Sequence, residues 1–445
     1  MEAKERLILA LDLPGKTTGD KEKIMSLLTA LKGKIDIVKV NSLASAWPEI
    51  IEVLKNSGFK VWRDWKHHDI PNTVVNFIEA DIDAGIDMST VHTLGGHAMM
   101  RDAVVKVAQR NSSIIILGIT ILTSHSQEDF SEELGIPGEI EATVKRLALL
   151  AEKEKLNGVV TSPKEAKVLR AILRPETLII TPGITPAFTV KPDDQSRVAT
   201  PRQAILDGAD YIVVGRAIYK SENPAEAADK IVAEIEEGLK ERKLRKLAID
   251  LFEVGAIKFG AFKLKLHEMN PDAPLSPIYV DLRVIRSFPQ LLADVADSIL
   301  AKVIDDEVGF DLISDIPTAS TPIVVLMSHK SGNPMISPKI SKTHGLEGAI
   351  DGMFTSGQSV LLVDDLVTKA DSKIEAAKVL EANKLLVRDI VVLVDREQGG
   401  REALTQAGYR LHAVFGIMEM LKIYLEAGKI DQAKYEETVS YLLNN

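Results

Sequence analysis

The chain has 445 residues, 45% apolar and 27% charged, with a formal net charge of −10 and no cysteine. That length suits two or three domains, each able to bury its own core. The acidic balance argues against a nucleic-acid partner, which needs a basic footprint, and the lack of cysteine excludes disulfides, thiolate catalysis and cysteine-ligated zinc.

The longest apolar run, IIILGITIL near 114 to 122, is about half the roughly 20 residues of a membrane helix. No membrane partner is expected, and the chain reads as a soluble, cytoplasmic protein. The N-terminal MEAKERLILALDL is interrupted early by Asp12 and reads as a first strand, not a signal peptide.

In chain order, eight short β-rich runs alternate with longer amphipathic segments: LILALDL (7 to 13), IDIVKVN (35 to 41), KVWRDWK (60 to 66), MSTVHTL (88 to 94), SIIILGIT (113 to 120), GVVTS (158 to 162), LIITPGI (178 to 184) and YIVVG (211 to 215). Strands alternating with helical patterns imply parallel βα units, and eight of them predict a (β/α)8 TIM barrel. Barrel chemistry sits at the C-terminal strand ends. There stand Asp12 after the first run, Lys39 late in the second, Asp64 and Lys66 in the third, and Thr123 with Ser124 after the fifth. Taken singly, Lys39 fits a snorkelling lysine, and Thr123 and Ser124 fit helix caps. Agreement at four strand ends is what makes them a set.

The third run continues as DWKHHDIPNT, residues 64 to 73. Alternation puts Asp64 and Lys66 on one face of the strand, with Asp69 in the following loop. Pro71 and Asn72 are expected to end the strand and leave Thr73 to begin a helix. This stretch resembles the orotidine 5'-monophosphate decarboxylase family, whose signature is D-x-K-x-x-D followed by I-P-N-T. The resemblance extends through TPGITP, DDQSR and VVGR to cover nearly all of residues 5 to 230.

The resemblance implies that Lys66 stabilises the anion left at C6 when CO2 departs and then protonates it. Asp64 would face the substrate carboxylate, and Lys39 would steady Asp64 and the ribose. Thr123 and Ser124 would hold the pyrimidine, and Gln195, Gly215 and Arg216 the phosphate, with Asp12 also at the substrate. No cofactor is implied. Asp69 and Thr73 would belong to a site completed across a dimer interface, so that a monomer is inactive.

The chain departs from the family at Trp62, Arg63 and Trp65, where apolar residues are usual, and at Asn41, where glycine follows the lysine. Arg63 alternates to the outer face, toward helix or solvent, and is expected to tune packing. A magnesium-dependent sugar-phosphate decarboxylase or aldolase of the same superfamily is the rival; IPNT and the LTS after strand five favour the nucleotide enzyme.

Residues 231 to 248 form a charged helical run leading out of the barrel, and a boundary near 236 divides the chain into domains 1–236 and 237–445. The second half carries FGAFKLK, SPIYVDLR, the strand DLISDIPTAS, a Lys-containing loop, SVLLVDDLVT and DIVVLVDREQGG. The order resembles orotate phosphoribosyltransferase, a type I phosphoribosyltransferase α/β domain with a parallel sheet.

That resemblance implies that Asp364 and Asp365 accept the ribose hydroxyls of phosphoribosyl pyrophosphate (PRPP). Thr368 and Arg396 would hold orotate, and Lys265 would stand at the base-binding end. Lys339, Lys342 and His344 would form a cationic lid over pyrophosphate, while Mg2+ arrives with PRPP. No protein residue is singled out as a metal ligand. Pro338 stands where the lid motif has arginine, and Ala370 where the phosphate loop has glycine.

Together the halves resemble a UMP synthase-like fusion that makes orotidine 5'-monophosphate and then decarboxylates it, working as a homodimer or homotetramer on small-molecule substrates. The alternative is a decarboxylase joined to a catalytically weak or inactive PRPP-binding or oligomerising module.

Overall fold

The computed structural model describes residues 1–189, 199–263, 274–339 and 350–444. It divides into two compact units, Met1–Arg242 and Lys243–Asn445. The division falls inside one helix, Pro224–Glu253, where the charged run past 230 was expected to lead out of the barrel.

The first unit is a closed eight-stranded barrel: β1 (Leu7–Ala10), β2 (Ile37–Val40), β3 (Lys60–His67), β4 (Met88–His92), β5 (Ile115–Ile119), β6 (Gly158–Val160), β7 (Leu178–Thr181) and β8 (Tyr211–Val214). Every neighbouring pair is parallel, and β8 closes on β1 through Leu7 opposite Ile212 and Leu9 opposite Val214. The aliphatic runs are buried on both faces, as strands flanked by a filled interior and by helices must be. Ile8, Ile37, Trp62, Met88, Leu117, Ile180 and Val213 fill the interior. Leu9, Val38, Val61 and Val91 face the helical layer.

The β3 segment differs from its expectation at its end. The strand runs on to His67, and the helix starts at Pro71 (Pro71–Asp83), not at Thr73. Proline fits the first helical position, where its missing N–H leaves nothing unsatisfied.

The second unit holds a six-stranded sheet in the order β13-β12-β11-β14-β15-β16 and a two-stranded antiparallel pair, β9 (Ile257–Phe262) with β10 (Ser276–Val280). The six are β11 (Leu312–Asp315), β12 (Met335–Pro338), β13 (Ile350–Asp351), β14 (Ser359–Val367), β15 (Leu386–Asp395) and β16 (Arg410–Gly416). All pairings are parallel except β12 with β13. The expected strand DLISDIPTAS is extended only to Asp315. From β11 the chain steps outward one way to β12 and β13 and then the other way to β14, β15 and β16. The strand order therefore reverses between β11 and β14, and at such a point an open α/β sheet leaves a crevice at the strands' carboxyl ends. Asp364 and Asp365 lie near that end of β14.

Candidate functional site

At the C-terminal mouth of the barrel, four charges of alternating sign stand in a row. Lys66 Nζ lies 2.7 Å from Asp64 Oδ2, Lys39 Nζ lies 3.5 Å from the same oxygen, and Lys39 Nζ lies 3.4 Å from Asp12 Oδ1. The Asp64 side chain is 7% exposed and that of Lys66 32%, so the carboxylate is sunk while the ammonium faces open space. Alternation along β3 predicts this shared face.

The backbone adds a feature that alternation does not show: Lys66 sits at φ +52°. A left-handed lysine is uncommon. Its N–H donates to the Thr90 hydroxyl at 2.9 Å, and that hydroxyl donates to Asp64 Oδ1 at 3.1 Å. Thr90 thus ties strand and carboxylate together, and Asp64 is met by three donors.

These residues line a cavity of about 740 Å³ together with Trp62, Thr123, Tyr219, Gly215 and Arg216. That is within the range of a nucleotide-sized pocket. A Cβ on Gly215, the residue after β8, would stand 3.2 Å from the Ala10 carbonyl oxygen, a tight contact that glycine avoids. Burial, and then Asp12, push the Tyr219 hydroxyl above its usual range, leaving it protonated as a donor. Burial, with His68 and Lys66 nearby, pushes His92 down to about 4, so it adds no positive charge beside Lys66 at neutral pH.

Of the expected barrel residues, Asp12, Lys39, Asp64, Lys66, Thr123, Gly215 and Arg216 come together around this cavity. Ser124 is exposed and is not among the lining residues, Asp69 is exposed with its carboxylate accepting the Ile70 N–H at 2.7 Å, and Thr73 lies in the first helical turn. Gln195 lies outside the described residues. Thr90, Trp62 and Tyr219 were missed. Thr90 was reachable, because period 2 along MSTVH puts it on the face of Met88, inside the barrel.

With this geometry in hand, the comparisons divide the chain. The model of the orotidine 5'-phosphate decarboxylase / HUMPS family matches residues 5–231. The chain belongs to this family. Over 241 residues it is 39% identical to an orotidine 5'-phosphate decarboxylase of Moorella thermoacetica, covering 94% of that protein and 53% of this chain. Over 245 residues it is 40% identical to one from Syntrophomonas wolfei, covering 100% of that protein and 53% of this chain. Among solved structures it is similar to a UMP synthase of Leishmania donovani, with 24% identity, TM-score 0.48, and 99% of this chain and 97% of that one covered. It is also similar to the orotidine 5'-phosphate decarboxylase of Lactobacillus acidophilus, with 33% identity, TM-score 0.45, and 52% of this chain and 99% of that one covered.

In the second unit, Asp364 and Asp365 are buried at the end of β14, and Lys373, also buried, puts its ammonium 2.5 Å from Asp364 Oδ2. Burial and the neighbouring Asp364 push the Asp365 carboxyl up to about 7. Ala370 adopts φ +70° just ahead of the helix Asp371–Ala382, taking the conformation that glycine usually supplies. Thr368 is half-buried in the loop after β14.

Arg396 is buried, its N–H bonds the Val367 carbonyl at 3.0 Å, and its Nε and Nη2 have no hydrogen-bond partner among the described residues. Gly400 lets the two loops approach, since a Cβ there would stand 2.6 Å from the Thr368 carbonyl oxygen. Lys339 pairs with Asp351 at 2.7 Å, and both are exposed. Lys265, Lys342 and His344 lie outside the described residues. Lys373 went unnoticed in sequence, because nothing local says that a helix lysine turns back onto its own strand.

Proposed function

We propose that the N-terminal half decarboxylates orotidine 5'-monophosphate to UMP without a cofactor, and that the C-terminal half makes that nucleotide from orotate and PRPP. The Asp12–Lys39–Asp64–Lys66 row at the mouth of the cavity carries the first part. Loss of CO2 from C6 leaves a carbanion that no ring carbonyl stabilises by simple resonance, so a cation must stand beside it. Lys66 is that cation and then the proton donor, and it is already oriented before substrate arrives. Asp64, sunk beneath it, faces the departing carboxylate, and Lys39 holds Asp64 in place. Gly215, Arg216 and Tyr219 take the phosphate end, with Arg216 as a bidentate cation.

For the second half, the support is the acidic end of β14 at the point where the strand order reverses, with Arg396 beside it as a buried cation with free donors. Asp364 and Asp365 accept the ribose hydroxyls, and Thr368 and Arg396 bind orotate. Burial and the neighbouring Asp364 push the Asp365 carboxyl up, and a magnesium ion that arrives on PRPP would offset the charge of this acidic pair. When bound, that ion supplies charge neutralisation to the leaving pyrophosphate.

The test uses the full chain. Orotidine 5'-monophosphate should give UMP equally with and without a chelator, and a chelator-sensitive reaction would favour the sugar-phosphate rival. Orotate with PRPP and magnesium should release pyrophosphate; none released would leave the second half as a binding module. A homodimer or homotetramer is expected, and light scattering on active protein that returns a monomer would exclude it.

A further inference from the structure

The face of β3 turned away from the cavity holds a second polar cluster that the chemistry above does not use. Arg63 and His67 come from β3, Asp81 from the helix Pro71–Asp83, and Ser89 from β4. They are 7%, 5%, 0% and 0% exposed. The Arg63 guanidinium pairs with the Asp81 carboxylate and lies over the Trp65 ring with 4.1 Å to its centroid. The Ser89 hydroxyl donates to Asp81 Oδ2, and His67 Nε2 lies 3.4 Å from that oxygen. The His67 ring stacks on Phe77 at 4.7 Å.

Filling space does not account for this cluster. Apolar side chains of similar volume pack an interface at least as stably as a buried ion pair, because desolvating the charges offsets much of their attraction. The cluster instead grips the strand on both sides of an irregularity. Between Arg63 and His67 the β3–β4 ladder shifts register. Inside that stretch Lys66 takes φ +52°, with its N–H on a side chain and not on a strand carbonyl.

We propose that Asp81 is a positioning residue for the decarboxylase site. By binding Arg63 at one end of the irregular stretch and contacting His67 at the other, it holds the backbone that keeps Lys66 against Asp64. This rests on the decarboxylase reading, and the wild-type chain assayed alongside separates the two. A wild type that does not turn over orotidine 5'-monophosphate defeats that reading, whereas wild-type turnover that these substitutions leave untouched defeats only the positioning role.

The decisive variant replaces the cluster by apolar residues of similar total volume: Arg63→Met with His67→Phe and Asp81→Ala in the full chain. We expect it to fold, with a KM within about threefold of wild type and a kcat lower by about tenfold, since small misplacements of a catalytic group cost rate more than binding. An unchanged kcat, or a kcat that falls only together with a raised KM and a lowered Tm, overturns the proposal. Should the triple variant not fold, Ser89→Ala decides, because it removes a single hydrogen bond to the same carboxylate. A kcat lowered about threefold at constant KM, in protein still folded at the assay temperature, supports the role, and an unchanged kcat ends it. Asp81→Asn, whose single oxygen still accepts from Arg63 while its amide donates to the Ser89 hydroxyl in place of accepting from it, should restore part of the rate lost in an Asp81→Ala variant.

Discussion

The barrel mouth and the end of β14 are both acidic strand ends, yet their charges are balanced differently. In the barrel, Asp64 is met by Lys66, Lys39 and the Thr90 hydroxyl, so the site is assembled before any ligand arrives. On β14, Lys373 serves Asp364, while Asp365 is pushed up to about 7 by burial and by that same Asp364. The first arrangement suits a reaction in which the protein alone supplies the cation. The second leaves a charge for a ligand to complete, and a substrate that brings its own metal can do so.

Removing the barrel's cation should break the comparison most severely. Lys66→Ala takes away both the electrostatic partner of the C6 anion and its proton, contributions worth on the order of 10² to 10³ and 10² to 10⁴ in rate. UMP formation should fall by at least ~10⁴, while orotidine 5'-monophosphate accumulates from orotate and PRPP in the same tube. UMP appearing at an undiminished rate would refute the assignment of Lys66.

Next in size is the incompletely compensated acid on β14. With Asp365 at about 7 in the folded chain and near 3.9 unfolded, the native state holds a proton that the unfolded chain has already released. Stability therefore falls as pH rises from about 4 to about 7, and the full cost is present above 7. Asp365→Asn removes it. The variant should match wild type near pH 4 and exceed it by roughly 2 to 4 kcal/mol at pH 8. Hydrogen exchange of the β14 amides at pH 5 and 8 reads the difference, and a gain independent of pH would show that the carboxyl is not the cause.

Much of this was legible in the sequence, and what was not has a common character. Aliphatic runs separated by amphipathic segments announced all eight barrel strands, because burial on two faces leaves a continuous apolar signature. Asp64 and Lys66 were legible through period 2, and Asp12, Lys39, Thr123 and Arg216 through their places at strand ends. Arg63 was rightly turned outward, but its partner Asp81 was invisible, since no local period links a strand residue to one near the C-terminal end of the next helix. The same holds for Lys373 on Asp364 and for Lys339, whose ammonium goes to Asp351 across the β12–β13 pair. The left-handed Lys66 was hidden for another reason: lysine carries no signal for φ > 0.

A smaller effect sharpens the comparison from the ligand's side. Pro338 lies on β12, opposite Ile350 of β13, and on the transferase reading proposed above it replaces the arginine of that family's lid motif. A charge-assisted contact to phosphate is worth roughly 1.5 to 3 kcal/mol. Pro338→Arg combined with Ala370→Gly should therefore lower the PRPP KM by about tenfold to a hundredfold. An unchanged KM and turnover would make both departures neutral.

The smallest expected effect belongs to Ala370→Gly alone, because three opposing contributions nearly cancel. Holding a Cβ at φ +70° costs roughly 1 to 2 kcal/mol, which glycine relieves. Against that, glycine loses about 0.5 to 1 kcal/mol more backbone entropy on folding. The alanine methyl is also buried, packed within the cluster of Val367, Ile390 and Leu404, and removing it forfeits about 0.8 kcal/mol. The net change should stay within about 0.5 kcal/mol of zero, which is how the fold tolerates an alanine at a glycine's conformation. Exchange of the amides in the helix Asp371–Ala382 measures it. A gain above about 1 kcal/mol would show that backbone strain outweighs the methyl's packing, and a loss of that size would show the reverse. With the expected near-zero result, any improvement in PRPP binding by the double variant comes from the arginine and the opened phosphate loop and not from a firmer fold.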